Sequence, residues 1–437
     1  MKFYIQTFGC QMNRLDSELL ADALGARGFD RAEGIDDADV ILFNTCSVRE
    51  HAENRLLSHL GRLKKAKRRR PELTVGVLGC MAQRVGRDLM QRMPHVDFVC
   101  GPGRLGLVPD ILEKGPTGQS LTGFPDDDCI TRHRAPRGGR VKAFVSAMRG
   151  CTRWCSYCVV PSARGPERSR PMEDIILEIH ELEECGIREV TLLGQSIDRY
   201  EDGNRGLADL LRTVHNECAL DRLRFVTSHP SGVTDRVLRA MAELPRVCRS
   251  VHMPAQCGSD GILKAMGRGY TRQHYLSLVE RARGVMPELE FSSDFIVGFP
   301  GETEEDFEKT VDLMKACRFL QSFIFKYSPR PGTRAAALAD DVSPDVKAAR
   351  HSRLLDLQNR ITREKHEAVV GKRVEVLVEG PSKRNESRFV GRTRFNHIVI
   401  FDAGDTVPGD LVSVGIESCT ALSVYGSIVR PPETASA

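Results

Sequence analysis

Between Cys151 and Cys158 the chain reads CTRWCSYC, three cysteines in a CxxxCxxC spacing. Thiolates are the soft ligands that iron-sulfur clusters and zinc take. Three of them in so short a run can ligate three irons of a cubic cluster and leave the fourth iron without a protein ligand. An open coordination position separates a chemical centre from a sealed structural one, as it separates catalytic from structural zinc. A zinc knuckle is the competing reading, but the nearest histidines, His133 and His180, lie outside finger-like spacing.

A second set of cysteines is dispersed. Three β-rich runs, KFYIQTFGC, DVILFNTC and LTVGVLGC, end at Cys10, Cys46 and Cys80, and a helical stretch follows each. Strands alternating with helices imply a parallel sheet with right-handed crossovers, which places all three cysteines at the carboxyl edge of that sheet. Their convergence makes a second three-thiolate site with an unfilled position. A fourth run, VDFVC, ends at Cys100 and is a candidate fourth ligand by spacing, although burial as a free thiol is the commoner fate.

The elements that must position these groups follow from periodicity. The chain has 437 residues, 41% hydrophobic and 28% charged, enough for two or three domains. No apolar run approaches the roughly 18 residues of a membrane span, and the opening MKFYIQTFGC reads as a strand rather than a signal peptide. A cytoplasmic protein without membrane association is expected. Fourteen cysteines without the density of a disulfide scaffold fit metal ligation in a reducing compartment. The expected organisation is an N-terminal α/β domain at 1–116, a linker at 117–136, a central core at 137–366 and a small β domain at 369–431.

In the core, strand-like runs from VKAFVSA to SFIFKYSP alternate six times with amphipathic helices such as MEDIILEIHELEECG. Six such units form a partial barrel, and its reactive residues belong at the carboxyl ends of the strands. Gln195, Ser228, Gln256 and Asp294 sit at or near those ends and together describe a polar rim around the cysteine loop. After a long polar helix the pattern changes to short strands with Gly turns, the mark of an OB-like barrel. The tail PPETASA reads as disordered. The net charge of +4 permits a nucleic-acid partner without arguing for one. Two local clusters could track a phosphate backbone: RLKKAKRRR at Arg62–Arg70, and Lys383, Arg384, Arg388, Arg392 and Arg394. A solvated surface is the plainer reading of both.

CTRWCSYC resembles the radical SAM enzymes, and GCQMNRLDSE, NTCSVREHAENR and LGCMAQ resemble the N-terminal domain of the methylthiotransferases among them. The C-terminal strands are similar to the TRAM domain, so the resemblance covers nearly the whole chain. It implies an α/β fold: an N-terminal parallel-sheet domain, a central radical SAM partial (β/α)6 barrel and a C-terminal all-β TRAM barrel. It implies two 4Fe-4S clusters and S-adenosylmethionine (SAM). The cluster on Cys151, Cys155 and Cys158 would chelate SAM at its open iron and release a 5'-deoxyadenosyl radical. An auxiliary cluster on Cys10, Cys46 and Cys80 would carry the transferred sulfur, with no role for Cys100 and no catalytic side chain beyond the clusters.

The resemblance also assigns a SAM and substrate pocket. Tyr157 matches an aromatic near the adenine, and Gln195, Ser228, Gln256 and Asp294 match strand-end motifs that line it. Ser196 and Cys257 depart from the pattern, standing where Asn and Ser are usual. The loop RGPERSRP, Arg164–Pro171, matches too, and its arginines are candidates for the SAM carboxylate or an RNA phosphate. GCQMN and NTCSVRE are most similar to members that replace the C-H at carbon 2 of an isopentenylated adenosine beside the anticodon by S-CH3. Implied partners are the tRNA anticodon stem-loop, a low-potential electron donor and a sulfur carrier, with the enzyme a monomer. Alternatives are a methylthiotransferase acting on threonylcarbamoyl-adenosine or on a ribosomal protein, and an iron-sulfur electron-transfer or RNA-binding protein.

Overall fold

The computed structural model describes residues 1–47, 50–116, 118–125, 139–226, 228–383 and 385–429. Residues 126–136 of the expected linker, Arg384 and the PPETASA tail lie outside the described residues. Contacts divide the chain into two compact units. One comprises Met1–Pro136, Ser146–Arg170 and Leu193–Gln195; the other comprises Arg137–Val145, Pro171–Leu192 and Ser196–Ala437.

The N-terminal sheet contains β1 (Lys2–Phe8), β2 (Asp30–Arg31), β3 (Val40–Thr45), β4 (Thr74–Leu78), β5 (Phe98–Cys100) and β6 (Gln119–Leu121). Their spatial order is β2-β1-β3-β4-β5-β6, and every pairing is parallel. Between the strands run α1 (Gln11–Ala26), α2 (Glu50–Arg69) and α3 (Cys80–Arg92). All six residues of β3, VILFNT, are buried, as a central parallel strand covered on both faces requires. Each of its large apolar side chains contributes about 1.5–3 kcal/mol by leaving water. Gln119–Leu121 falls in the stretch expected to be a linker, yet it pairs with β5 as the edge strand. Three residues are too short to carry a visible period; only the neighbouring strand makes them a strand.

Six core strands form two three-stranded sheets. One orders Lys142–Ser146, Glu189–Leu193 and Arg222–Val226; the other pairs Ser250–His252, Glu290–Val297 and Gln321–Lys326 in parallel. A parallel bridge from Leu223 to Val247 joins the two into an open, partial barrel. The helix Pro344–Glu367 then leads to a closed five-stranded barrel, Arg373–Ser382, Asn385–Arg392, Ile398–Asp402, Val424–Ile428 and Leu411–Cys419 in spatial order. Val376, Val399, Phe401, Val414 and Val424 fill its interior. The expected fold class, α/β with a partial barrel and a small terminal β barrel, is the one observed. No described helix is long and apolar enough to cross a membrane.

Candidate iron-sulfur centres

Because β1, β3 and β4 are parallel neighbours, the residues that follow them meet at one edge. Cys46 N donates to Phe8 O at 2.9 Å, which aligns the ends of β1 and β3. A methyl group on Gly9 would stand 2.6 Å from Cys46 Cβ, and one on Gly79 would stand 2.2 Å from Asn44 Oδ1. Gly9 and Gly79 have φ of +148° and +90°, so the GC pairs give both the turn and the close approach that the cysteines need.

The thiols of this edge act on one another. The Cys10 thiol is held down to about 5, first by a hydrogen bond with Cys46 and then by the charge of Arg164 against the cost of burial. Burial pushes the Cys80 thiol up, with Arg164 opposing. Around them is a polar lock from the GCQMN and NTC motifs. The Cys10 thiol donates to Asn13 Oδ1 at 3.2 Å, Asn13 Nδ2 donates to Asn44 Oδ1 at 2.8 Å, and Asn44 Nδ2 returns to Asn13 O at 2.9 Å. Asn13 and Asn44 are fully buried, so every bond they make fixes the cysteine turns. Cys100 ends β5, and its thiol faces the carbonyl of Gly101 at 3.5 Å.

The CxxxCxxC loop belongs to the same compact unit as Cys10, Cys46 and Cys80. Gly150 turns at φ +79°, where an added Cβ would strike Pro166 O at 1.9 Å. Cys151 N donates to Gly165 O at 3.1 Å and Cys158 N to Cys155 O at 3.1 Å, curling the loop so that the three cysteines share one turn of chain. All three are partly exposed, and burial raises the Cys151 thiol. No disulfide joins any described cysteines. Two triads of thiols, one partly exposed and one in which the Cys10 thiol is lowered beside Cys46, are a donor set suited to iron-sulfur clusters.

The expected pocket residues separate into two groups. Gln195 Oε1 accepts from Gly150 N at 2.6 Å and so shapes the start of the cysteine loop; Tyr157 is half-buried within that loop. In the other unit, Gln256 N donates to Asp294 O at 2.8 Å, and Gln256 takes the unusual φ of +69°. Asp294 Oδ2 lies 3.4 Å from His252 Nε2, while Ser228 N donates to His252 O at 3.1 Å. Among the described residues, Ser228 Oγ is buried without a hydrogen-bond partner. Ser196 Oγ donates to Asp198 Oδ1 at 2.9 Å. Cys257 is buried against Thr310 Oγ1 at 3.4 Å with its thiol pushed up to about 11 by burial, which makes it an inert packing thiol.

Sequence reasoning missed Asp16. Its carboxylate is fully buried and takes Arg149 Nη1 at 2.9 Å and Arg164 Nη2 at 2.8 Å. The RGPERSRP arginines are accordingly spent on protein: Arg164 on Asp16, Arg168 on the carbonyls of Phe124 and Pro125, Arg170 on Ser146 O. Arg149, Arg164, Arg168 and Phe124 line a small recess of about 50 Å³. The only sequence signal was the composition of GCQMNRLDSE, where an acid follows the first cysteine on the buried face of a helix.

Residues 2–101 match the family described as UPF0004, residues 145–314 the radical SAM superfamily, and residues 367–429 the TRAM domain. The tRNA-2-methylthio-N(6)-dimethylallyladenosine synthase of Rhodopirellula baltica is 43% identical over 97% of this chain and 95% of its own. Its counterpart in Carboxydothermus hydrogenoformans is 44% identical over 98% and 99%. Among solved structures, the radical S-adenosylmethionine methyltransferase TsrM from Kitasatospora setae matches with a TM-score of 0.57 at 15% identity, covering 77% of this chain and 74% of that one. At that identity the likeness is one of fold.

Proposed function

Since the chain belongs to the tRNA-2-methylthio-N(6)-dimethylallyladenosine synthase family, we propose that it is a radical SAM methylthiotransferase that replaces the C-H at carbon 2 of dimethylallyl-adenosine beside the tRNA anticodon by S-CH3. The observation that carries the reading is the convergence of Cys10, Cys46 and Cys80 in the same compact unit as Cys151, Cys155 and Cys158. An aryl C-H has no acidic proton and no leaving group, so side-chain acid-base chemistry cannot open it. Cys151, Cys155 and Cys158 would hold one 4Fe-4S cluster and Cys10, Cys46 and Cys80 a second, groups that supply with SAM the carbon radical and the sulfur this substitution needs.

What the chain itself does is hold and shield. Asn13 and Asn44 fix the turns that present the dispersed thiols, and Gln195 fixes the start of the local loop. The buried Ser228 hydroxyl and the Gln256 and Asp294 strand ends offer polar contacts for SAM or the nucleobase, and Tyr157 an aromatic face for the adenine. The proposed organisation is an N-terminal domain at 1–116, a linker at 117–136 whose Gln119–Leu121 extends the N-terminal sheet, a core at 137–366 and a barrel at 369–431. The protein works as a monomer in the cytoplasm, fed by a low-potential electron donor and a sulfur carrier. Nucleoside mass spectrometry of tRNA from a strain lacking the protein tests the reading. The 2-methylthio group is expected to vanish and the dimethylallyl-adenosine precursor to accumulate; unchanged 2-methylthio-dimethylallyladenosine would remove the assignment.

A further inference from the structure

The short helix Val160–Arg164 leaves the CxxxCxxC loop and packs on α3, whose first residue is Cys80. It ends at Gly165, where a Cβ would meet the Phe124 ring at 2.7 Å, so the chain turns sharply just after Arg164. The guanidinium is thereby driven into the protein, its side chain only 4% exposed. Nη2 is engaged by Asp16 Oδ2 at 2.8 Å and Asn13 Oδ1 at 3.4 Å. Among the described residues Nη1 is buried with no hydrogen-bond partner of good geometry. The group nevertheless lies against the Cys80 thiol and acts on Cys10 through its charge.

Two facts of physical chemistry make this arrangement incomplete as it stands. A buried guanidinium donor left unmade carries the full desolvation penalty of that group, larger than for a neutral donor because it is charged. Asp16 also faces both Arg149 and Arg164, so among the described residues one carboxylate is shared between two cations. Three thiolates around an oxidised four-iron cube carry a net negative charge, with sulfurs that accept hydrogen bonds. That group answers both deficits.

Resting on the second cluster proposed above, we infer that Arg164 donates through Nη1 to a sulfur of the cluster on Cys10, Cys46 and Cys80, and raises that cluster's reduction potential. Hydrogen bonds and positive charge stabilise the more negative, reduced form. Arg164 is a positioning residue here: it touches the ligand sphere and tunes it. Since it stands six residues beyond Cys158, it also ties the two cysteine sets together through the chain.

The test uses the full-length protein with Cys151, Cys155 and Cys158 replaced by Ala, so that one cluster gives the signal, reconstituted anaerobically and titrated by electron paramagnetic resonance. Arg164→Met is expected to keep about four irons per chain and to move the midpoint to lower potential, with altered g-values. Arg164→Lys, which keeps charge but not the forked donor, is expected to fall between. A full iron load with an unchanged midpoint and spectrum in both variants would overturn the inference. Loss of iron in Arg164→Met with an unshifted midpoint in Arg164→Lys would overturn it too, since that pattern marks a merely structural arginine. If the parent triple variant takes up no iron, the second cluster itself fails, a separate outcome.

Discussion

At the scale of single residues, the six cysteines divide by how their chemistry is arranged. Cys10, Cys46 and Cys80 are brought together by strand order and share electrostatics; Cys151, Cys155 and Cys158 are local. Changing any one of the first three to Ser is expected to lower iron from about eight to about four per chain and to abolish methylthiolation. Iron and sulfide assay with nucleoside mass spectrometry reads both effects. Cys100→Ser should leave the iron count unaltered, because that thiol turns to Gly101 O. Gly79→Ala is the sharpest steric probe. Its methyl group would overlap Asn44 Oδ1 and Thr45 O at a φ of +90°, costing roughly 1–3 kcal/mol. A lower Tm together with poor cluster uptake is the expected result.

At the scale of elements, the terminal barrel is joined to the helix before it through two histidines. His366 Nδ1 faces Thr420 O at 2.7 Å, and its ring lies 5.3 Å from that of His397. Burial pushes His397 down to about 3, with His366 and Lys365 adding to the shift. The folded ring therefore stays neutral while an unfolded one takes a proton below about 6.5. Stability from this residue is complete above that value and falls as pH drops from 6.5 toward 3, by about 1.4 kcal/mol per unit. Tm measured from pH 7 to pH 5 should decline, and His397→Phe should flatten the decline. A wild-type slope retained in the variant would show that another group controls it.

Elsewhere on the barrel, Arg224 Nη2 reaches Thr393 O at 2.8 Å and its Nε lies 2.9 Å from Glu189 Oε2, while Arg222 Nη2 reaches Glu375 Oε1 at 3.0 Å. Arg394 donates to the carbonyl of Pro245, and Arg392 pairs with Glu379 at 3.2 Å. Arg394 of the basic cluster expected to track phosphate is thus used to seat the barrel on the core, while Arg392 is spent within the barrel itself. Arg388 pairs with Asp402 at 3.2 Å on the exposed face.

At the scale of the whole molecule, a further basic surface lies on α2. Lys67 is taken by Asp97 at 2.8 Å and Arg70 by the Ala38 carbonyl at 2.9 Å, but Arg62, Lys64, Lys65, Arg68 and Arg69 are exposed. They are suited to a nucleic-acid backbone, where affinity follows counterion release. Replacing Lys64, Lys65, Arg68 and Arg69 by Ala is expected to weaken binding of an anticodon stem-loop and to reduce the salt slope by about one for each phosphate no longer neutralised. Fluorescence anisotropy across a salt series measures it; an unchanged slope would assign these residues to solvation only.

That the cysteines of each set come near one another was legible in the sequence, for different reasons. CxxxCxxC is local, so spacing alone brings its thiols near each other. The dispersed set was legible because a parallel sheet sends every strand's carboxyl end to one edge, and the repeated strand-then-cysteine plan states that edge three times. Tertiary structure alone decided the pairing of Asp16 with Arg164 across 148 residues, the recruitment of Gln119–Leu121 as an edge strand, and the use of Arg394 on the Pro245 carbonyl. A charge or a three-residue run carries no period; its partner is set by packing, and packing exists only once the chain has closed on itself.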